Sequence, residues 1–330
     1  MPYELTDTQK QQVLPLPPLC ALAVLTRSSS PPHLARSPWL HLLGTQFEAD
    51  GYLVLKEFFS QEQANRLLKR SKQLLREFDL ESHPGTVFTG SADKKHIGDD
   101  YFLTSGDKIR FFLEPAATGE DGKLNRPKEE AVNKIGHALA MLDPGFRQFS
   151  FSEDVKSLVR SMEKYEDPKL IQSMVICKNK EVGGKVGSHD DQTFLTSNPS
   201  TAMGLWFALE QCTPENGCLS FVPGSHKVNK LTKRLVRVDG GKAGTNILPV
   251  PGMEDEPAID WDGEDVEWVT APCEAGDLVL IHGAVIHRSE RNLSQKSRFI
   301  YTFHCIEGSA ELQPTPEMPF PSLYTTPATV

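Results

Sequence analysis

The spacing of apolar residues changes once along this chain, near residue 167, and the change separates predicted helices from predicted strands. Before this point apolar side chains recur at helical spacing, which predicts amphipathic helices with one buried face. Such helices are predicted after Ser60, which forms a capping-box pattern with Gln63, over residues 128–142, and after the cap residue Ser152. A short strand is predicted over residues 51–55, ahead of the first helix.

After Asp167-Pro168 the chain has the pattern of short strands separated by Gly and Pro turns. The predicted strands are 170–177, 203–210, 218–222, 266–270, 277–282 and 298–305. Many short strands without intervening helices are typical of a sandwich or jelly roll rather than of alternating βαβ units. We therefore predict a mainly β fold with flanking α-helices and a double-stranded β-helix core, which is a jelly-roll, cupin-like architecture.

In three stretches the apolar residues follow neither the helical nor the strand spacing. Residues 13–46 are rich in proline and contain the run Ser28-Ser29-Ser30, so we expect residues 1–46 to be disordered and residues 47–330 to form a single domain. A further hypothesis is that residues 13–46 are a retained intron, since all codons for Val13 begin with GT and CAG is one of the two codons for Gln46. Residues 82–100, with His83 and His96 expected in solvent, and the acidic stretch 239–265 are predicted as irregular loops.

The composition argues against a nucleic-acid-binding protein and against a membrane protein. The net charge is −9 and the basic residues are dispersed, which argues against nucleic acid as a partner. The six cysteines form no Cys-x-x-Cys pair, as expected in a reducing compartment. No membrane partner is expected, because no segment reaches the ~18–20 consecutive apolar residues of a span. Without a clear signal peptide or a C-terminal peroxisomal signal, we expect a cytoplasmic protein, compatible with a monomer, that acts on a small molecule.

A possible metal-binding pattern lies in the sequence Ser-His-Asp-Asp at residues 188–191. On an extended segment His189 and Asp191 point to one face and Asp190 to the other. Two histidines and one carboxylate form the facial triad of non-haem Fe(II) oxygenases. A lone His-x-Asp is weak evidence, because such tripeptides are common by chance. Two histidines downstream, His282 and His287, compete for the third ligand position.

Arg298 adds a second chemical group to this pattern. It follows His287 by eleven residues, at the start of the next predicted strand. Antiparallel pairing can bring the start of one strand beside the end of its predecessor. A guanidinium there offers a planar fork of donors that matches a carboxylate. We therefore expect a dicarboxylate such as 2-oxoglutarate to chelate a metal through its oxo-acid end and to contact Arg298 through the other.

Several longer segments resemble one known family. The segments are NKIGHAL, SHDDQTF, GLWFALEQCTPENGCLSFVPGSH and LVLIHGAVIHRSERNLSQKSRFIYTFH, and over residues 47–330 they are similar to the phytanoyl-CoA dioxygenase family, most of all to its domain-containing-protein branch. The resemblance selects His287 and implies an Fe(II) site of His189, Asp191 and His287. It also implies 2-oxoglutarate contacts from Arg298, Ser289, Lys134, Met174 and Trp206. The intact Asp191 argues against the related halogenases, in which a small residue vacates this position.

The resemblance implies an Fe(II)- and 2-oxoglutarate-dependent dioxygenase that uses O2, releases succinate and CO2, and most often hydroxylates a small organic substrate. One alternative is a non-catalytic jelly-roll sensor of a carboxylate or metal. Another is an oxidative desaturase or epimerase of specialised metabolism. His137, His226, His282 and His304 are expected to be structural. No dense basic cluster marks a site for the phosphates of a CoA thioester, so the substrate stays unidentified.

Overall fold

The helices precede most of the strands, as the apolar spacing predicts. A computed structural model of the chain describes residues 38–87, 99–119, 122–162, 164–197, 200–238, 244–308 and 328–329. Its α-helices are α1 (Pro38–Asp50), α2 (Gln61–Glu77), α3 (Asp100–Leu103), α4 (Lys128–Ala131), α5 (Leu139–Leu142), α6 (Pro144–Ser150) and α7 (Glu153–Ser161). Single 3-10 turns lie at Pro115–Ala117, Pro214–Asn216 and Ser225–Lys227. Within these described ranges no helix combines the length and apolar composition needed to cross a bilayer.

The predicted helix starts at Ser60 and Ser152 are confirmed. At the start of α2 the Ser60 hydroxyl accepts from the Gln63 backbone N–H at 3.2 Å, and the Gln63 side chain accepts from the Ser60 N–H at 2.9 Å. This capping box satisfies two N–H groups that a helix end leaves unpaired. Helix α7 begins directly after Ser152, but among the described residues the Ser152 side chain makes no capping hydrogen bond, so only the position of the helix start was predicted correctly. Both helices bury one apolar face, which includes Leu67 of α2 and Leu158 of α7.

The strands form two larger sheets and one hairpin. They are β1 (Tyr52–Leu55), β2 (Ile109–Leu113), β3 (Val132–His137), β4 (Pro168–Lys178), β5 (Val186–His189), β6 (Met203–Ala208), β7 (Leu219–Phe221), β8 (Lys233–Arg237), β9 (Thr245–Pro249), β10 (Val269–Ala271), β11 (Leu278–His282), β12 (His287–Ser289), β13 (Arg298–Glu307) and β14 (Ala328–Thr329). The major sheet has the order β1-β11-β6-β13-β4-β3-β2, with β14 also on β4, and the minor sheet has the order β10-β7-β12-β5. All pairings between these strands are antiparallel.

The major sheet has two different faces. One face packs against the helices, and Phe207 and Tyr301 belong to this core. The other face turns toward the minor sheet, where Trp206 and Ile300 pack with Phe221. Because neighbours on a strand point to opposite faces, even-numbered residues at the start of β13 face the minor sheet. The predicted jelly-roll core is confirmed, and all six predicted strands are present with their ends moved by at most three residues.

The predicted helix over residues 128–142 is wrong. This stretch forms the short helix α4, the strand β3 and the short helix α5. Strand β3 lies between β2 and β4, and five of its six residues are buried. A strand covered on both faces does not alternate apolar and polar side chains, so its apolar residues resemble a helical stripe. Lys134 therefore lies on a strand of the major sheet.

Two loop predictions also need correction. His83 was expected in solvent, but its ring is half-buried, with ring centroids 5.1 Å from Phe78 and 5.0 Å from Tyr101. His96 lies outside the described residues. The acidic stretch 239–265 is not irregular throughout, because β9 pairs with β8 in a separate two-stranded sheet.

Helix α1 crosses the predicted domain boundary at residue 46. It begins at Pro38, and Phe47 near its end is completely buried in the core next to the major sheet. The irregular stretch expected up to residue 46 therefore differs from the structure over its last nine residues. Residues 1–37 lie outside the described residues, and for them disorder and a retained intron stay predictions.

Candidate metal centre

Two adjacent strands of the minor sheet bring three metal-binding side chains together. Strand β5 ends at His189, β12 begins at His287, and these two residues are direct partners in the antiparallel register. Residues opposite each other on neighbouring strands place their side chains on the same face and close together. Asp191 follows β5 by two residues, so its carboxylate reaches the same point. One ligand atom from each of His189, Asp191 and His287 lies within 4.8 Å of the other two.

Backbone carbonyls fix the orientation of both imidazoles. His189 Nδ1 lies 2.8 Å from the Gly187 carbonyl, and His287 Nδ1 lies 3.1 Å from the Val285 carbonyl. A carbonyl only accepts, so each Nδ1 carries the proton and each Nε2 presents a lone pair. Those Nε2 atoms lie 4.0 and 3.9 Å from Oδ1 of Asp191. Two lone pairs and one carboxylate oxygen thus converge, a donor set that fits Fe(II).

The surroundings hold His189 and Asp191 in the protonation states that bind a metal. Burial lowers the pKa of His189 to about 4, and the neighbouring His287 acts in the same direction. Burial acts to raise the pKa of Asp191, but His304, His287 and His189 outweigh it and hold that pKa below its usual range. At neutral pH the His189 ring is therefore neutral and Asp191 is ionised, as metal ligation requires.

The neighbouring candidates lie apart from this cluster. Asp190 points away, as expected, and its buried carboxylate accepts from the Thr193 N–H and the Asn229 amide, each at 2.8 Å. His282 ends β11 in the major sheet, where its ring centroid lies 4.8 Å from that of His226. The structure therefore brings His287, and not His282, to His189 and Asp191.

The cluster opens into a cavity of about 420 Å³ between the two sheets. This volume lies within the range of about 300–1,000 Å³ that is usual for small-molecule sites. The residues that the family resemblance assigns to 2-oxoglutarate all line it: Lys134, Met174, Trp206, Ser289 and Arg298. The structure thus brings together all eight residues that the sequence singled out.

Arg298 is a buried cation at this cavity. The residue is 2% exposed, and its guanidinium carbon lies 5.4 Å from the Trp206 ring centroid. Within the described part of the chain its Nε has no hydrogen-bond partner. Among the residues that the structure describes, no carboxylate lies within 4.0 Å of its nitrogen atoms. A buried guanidinium without a carboxylate is costly for the protein alone and suited to an anionic ligand.

Arg298 does not lie beside His287 through pairing of consecutive strands, so this prediction is wrong. His287 lies in the minor sheet, while Arg298 begins β13 in the major sheet and pairs with Lys178 of β4. The two residues line the same cavity from opposite walls. They are brought together by packing of the sheets and not by pairing of consecutive strands.

Lys178 is a cavity residue that the sequence analysis missed. Its side-chain nitrogen donates to the Ser289 hydroxyl at 2.6 Å and also to the Glu290 carbonyl. The Ser289 hydroxyl in turn donates to the Gly217 carbonyl at 2.7 Å. Lys178 and Gly217 therefore fix the hydroxyl of Ser289. The predicted strand 170–177 ended one residue too early, and extending its alternation would have placed Lys178 on the face of Met174 and Ile176.

His304 is the second residue that was missed, because it was expected to be structural. Its Nε2 lies 3.2 Å from Oδ2 of Asp191, and its Nδ1 lies 3.2 Å from the Gln172 side-chain amide nitrogen. A sequence signal existed, since the period of two along β13 places His304 on the same face as Arg298.

Solved structures of other proteins share this fold. The non-haem alpha ketoglutarate-dependent epimerase SnoN from nogalamycin biosynthesis, in complex with Fe3+, alpha ketoglutarate and nogalamycin RO, matches with a TM-score of 0.54 at 20% identity over 84% of this chain and 86% of that chain. EctD from S. alaskensis, with 2-oxoglutarate and 5-hydroxyectoine, matches with a TM-score of 0.53 at 17% identity over 88% and 82%. The chain thus has the same jelly-roll fold as these two proteins.

Sequence comparisons then give the family. The family model of phytanoyl-CoA dioxygenase (PhyH) matches residues 47–300. Phytanoyl-CoA dioxygenase domain-containing protein 1 of Bos taurus is 41% identical over 292 residues, which are 85% of this chain and 97% of that protein. Its Caenorhabditis elegans homolog is 38% identical over 291 residues, 86% and 98% of the two chains. The chain belongs to the phytanoyl-CoA dioxygenase family, which confirms the predicted family and the predicted class, an iron- and 2-oxoglutarate-dependent dioxygenase.

Proposed function

We propose that this protein hydroxylates a small organic substrate and converts 2-oxoglutarate and O2 to succinate and CO2 in the same reaction. One observation carries the proposal: two imidazole lone pairs, one carboxylate oxygen and a buried arginine that pairs with no carboxylate of the described residues line a single cavity. A facial set of three ligands leaves coordination positions open for a cosubstrate and dioxygen.

His189, Asp191 and His287 would hold the iron. Bound there, Fe(II) supplies the redox chemistry that couples reduction of dioxygen to decarboxylation of the oxo acid. The protein's own task is orientation. The Gly187 and Val285 carbonyls keep both Nε2 atoms aimed at the shared point, so the ligands need little rearrangement when a metal arrives.

Arg298 would bind the far carboxylate of 2-oxoglutarate. The guanidinium offers paired N–H donors, and Trp206 covers one of its sides. Lys134 and Met174 lie on neighbouring strands, where Lys134 is the register partner of Ile176 and Met174 that of Gly136, and both line the cavity. Ser289 lines the same cavity and would contact the anion once its hydroxyl proton turns away from the Gly217 carbonyl.

A second group of residues in the cavity wall suits an organic substrate. Phe102, Phe194, Leu195 and Leu235 line it together with His137, and among these five only the histidine is polar. The imidazole of His137 is buried, and burial lowers its pKa, so it is neutral at physiological pH. An apolar wall with few polar groups favours a ligand with an apolar body. Substrate-sized molecules in SnoN and EctD support a small-molecule substrate here.

Epimerisation is a second candidate outcome. SnoN, which shares this fold at a TM-score of 0.54, is an epimerase. The iron, cosubstrate and dioxygen requirements are the same for both outcomes. Product analysis separates them, because hydroxylation adds one oxygen atom to the substrate and epimerisation leaves its composition unchanged.

The proposed function is tested by succinate release. Purified protein with Fe(II), ascorbate, 2-oxoglutarate and a panel of metabolites is expected to form succinate above the level without substrate, because substrate binding couples decarboxylation to oxidation. Liquid chromatography with mass spectrometry measures succinate and product together. A protein that binds neither Fe(II) nor 2-oxoglutarate would contradict the proposal and favour the non-catalytic sensor.

Binding of 2-oxoglutarate is expected to take up protons near neutral pH. Burial lowers the pKa of Lys134 to about 7, and burial together with Arg298 lowers that of Lys178 to about 6. A carboxylate placed beside both amines favours their charged forms and raises both pKa values. The affinity should therefore increase as the pH falls from about 8 to about 6. Titration calorimetry of iron-loaded protein without oxygen, in two buffers of different ionisation enthalpy, measures the number of protons taken up on binding. A number of zero would contradict this prediction.

A further inference from the structure

His304 lies on the major sheet, opposite the strands that carry the two ligand histidines. It is the register partner of Gln172 on β4 and of Gly204 on β6. A Cβ atom at position 204 would lie 3.4 Å from Cδ2 and Nε2 of the His304 ring. The ring therefore packs against a residue without a side chain, and this contact limits how far it can turn.

The hydrogen bonds of His304 define its tautomer. An ionised Asp191 only accepts hydrogen bonds, so His304 Nε2, at 3.2 Å from Oδ2, must carry a proton and donate. In the neutral ring Nδ1 is then an acceptor, which matches the Gln172 amide nitrogen at 3.2 Å. Gln172 thus favours the form of His304 that donates to Asp191.

The two oxygens of Asp191 have separate roles in this arrangement. Oδ1 faces the Nε2 atoms of His189 and His287 at 4.0 and 3.9 Å, whereas Oδ2 faces His304. A carboxylate with both oxygens free can bind a metal through both and occupy two positions. A donor fixed on Oδ2 leaves only Oδ1 for the metal.

We propose that His304, oriented by Gln172, is a positioning residue that holds Asp191 as a one-oxygen ligand and so keeps a coordination position open for 2-oxoglutarate. This inference rests on the proposed function, because it presumes a metal at His189, Asp191 and His287. The proposal gives a role to His304 on β13 and Gln172 on β4, two strands that supply none of the three proposed ligands.

The test compares His304→Phe with His304→Gln, using Co(II) as the probe metal. Phenylalanine keeps a ring but removes the donor, while glutamine places an amide N–H near the position of Nε2. We expect His304→Phe to weaken Co(II) binding about 10–100-fold, the usual effect of removing an outer-shell partner, and to change the visible Co(II) spectrum, which reports coordination number. His304→Gln is expected to keep the wild-type spectrum. 2-Oxoglutarate should bind Co(II)-loaded His304→Phe more weakly than wild type.

Gln172→Leu and His282→Phe serve as companion variants. Gln172→Leu leaves the His304 ring in place and removes only the group that favours its tautomer, so it should shift Co(II) affinity in the same direction by a smaller factor, even if His304→Phe does not fold. His282→Phe changes a histidine outside the cluster and should leave Co(II) affinity unchanged. If both His304→Phe and Gln172→Leu keep the wild-type Co(II) affinity and spectrum, the role proposed for His304 is overturned, but the proposed function is not. A wild-type protein that binds no Co(II) would overturn the proposed function with it.

Discussion

Replacing His189 by alanine is expected to abolish substrate-dependent succinate formation. The substitution removes one of the three proposed metal ligands, and even the loss of an outer-shell partner typically costs about 10–100-fold in metal affinity. Loss of a ligand should therefore exceed about 100-fold and leave the protein without iron at micromolar concentrations. Iron content after dialysis and succinate release measure the two effects. The fold should persist, because His189 lies at a strand end that lines the cavity.

Asp190→Gln is the matched control for this prediction. Asp190 is next to a ligand but faces away from the cluster, and its carboxylate accepts from Thr193 and Asn229. Glutamine keeps one oxygen acceptor and disturbs the other contact. We expect iron binding to persist and the free energy of unfolding to fall by about 1–3 kcal/mol, the cost of an unsatisfied buried polar group. Loss of iron as severe as in Asp191→Ala would contradict the proposed ligand set.

Replacing Arg298 by methionine is expected to raise the KM for 2-oxoglutarate more than any other single change at the cavity. Removal of one partner from a buried charge pair costs about 2–5 kcal/mol, which corresponds to roughly 30- to 4,000-fold in affinity. Methionine is similar in length to the arginine stem, so the packing against Trp206 is largely kept. Iron affinity should not change, since Arg298 lies on the wall opposite the ligand histidines.

The KM for 2-oxoglutarate shows whether Arg298 binds the cosubstrate or only stabilises the fold. Arg298→Lys keeps the charge but not the planar fork, so its KM should lie between those of wild type and Arg298→Met. Arg66→Met, at an exposed position on α2, controls for loss of a surface charge. An unchanged KM in Arg298→Met, with normal iron content, would show that the far carboxylate binds elsewhere.

The sequence was informative wherever local patterns decide structure. The capping box at Ser60 and the Gly- and Pro-bounded strands after residue 167 are local signals, and each is present in the structure. That His189 and Asp191 point to the same side also follows from a local pattern, because side chains two positions apart on an extended segment share a face. Strand β3 was missed because both of its faces are covered, which removes the alternation that identifies a strand.

Long-range packing decided the rest of the candidate site. The choice of His287 over His282 depended on family resemblance, because both residues follow the same apolar strand. Likewise, nothing local in the sequence places Arg298 on the wall opposite His287. Lys178 and His304 belong to strands whose alternation carries them into the cavity, but only the packing of the two sheets brings His304 to Asp191.

The placement of the metal-binding residues and Arg298 on different sheets has a consequence for selectivity. Packed sheets lie about 10 Å apart, and their separation is set by the core between them. In the proposed site the distance from the metal to Arg298 would therefore be set by the sheets and not by the loops at the cavity mouth, and it would determine the length of the oxo acid that fits. Relatives could exchange those loops, and with them the molecule that is oxidised, without altering the length of cosubstrate that fits.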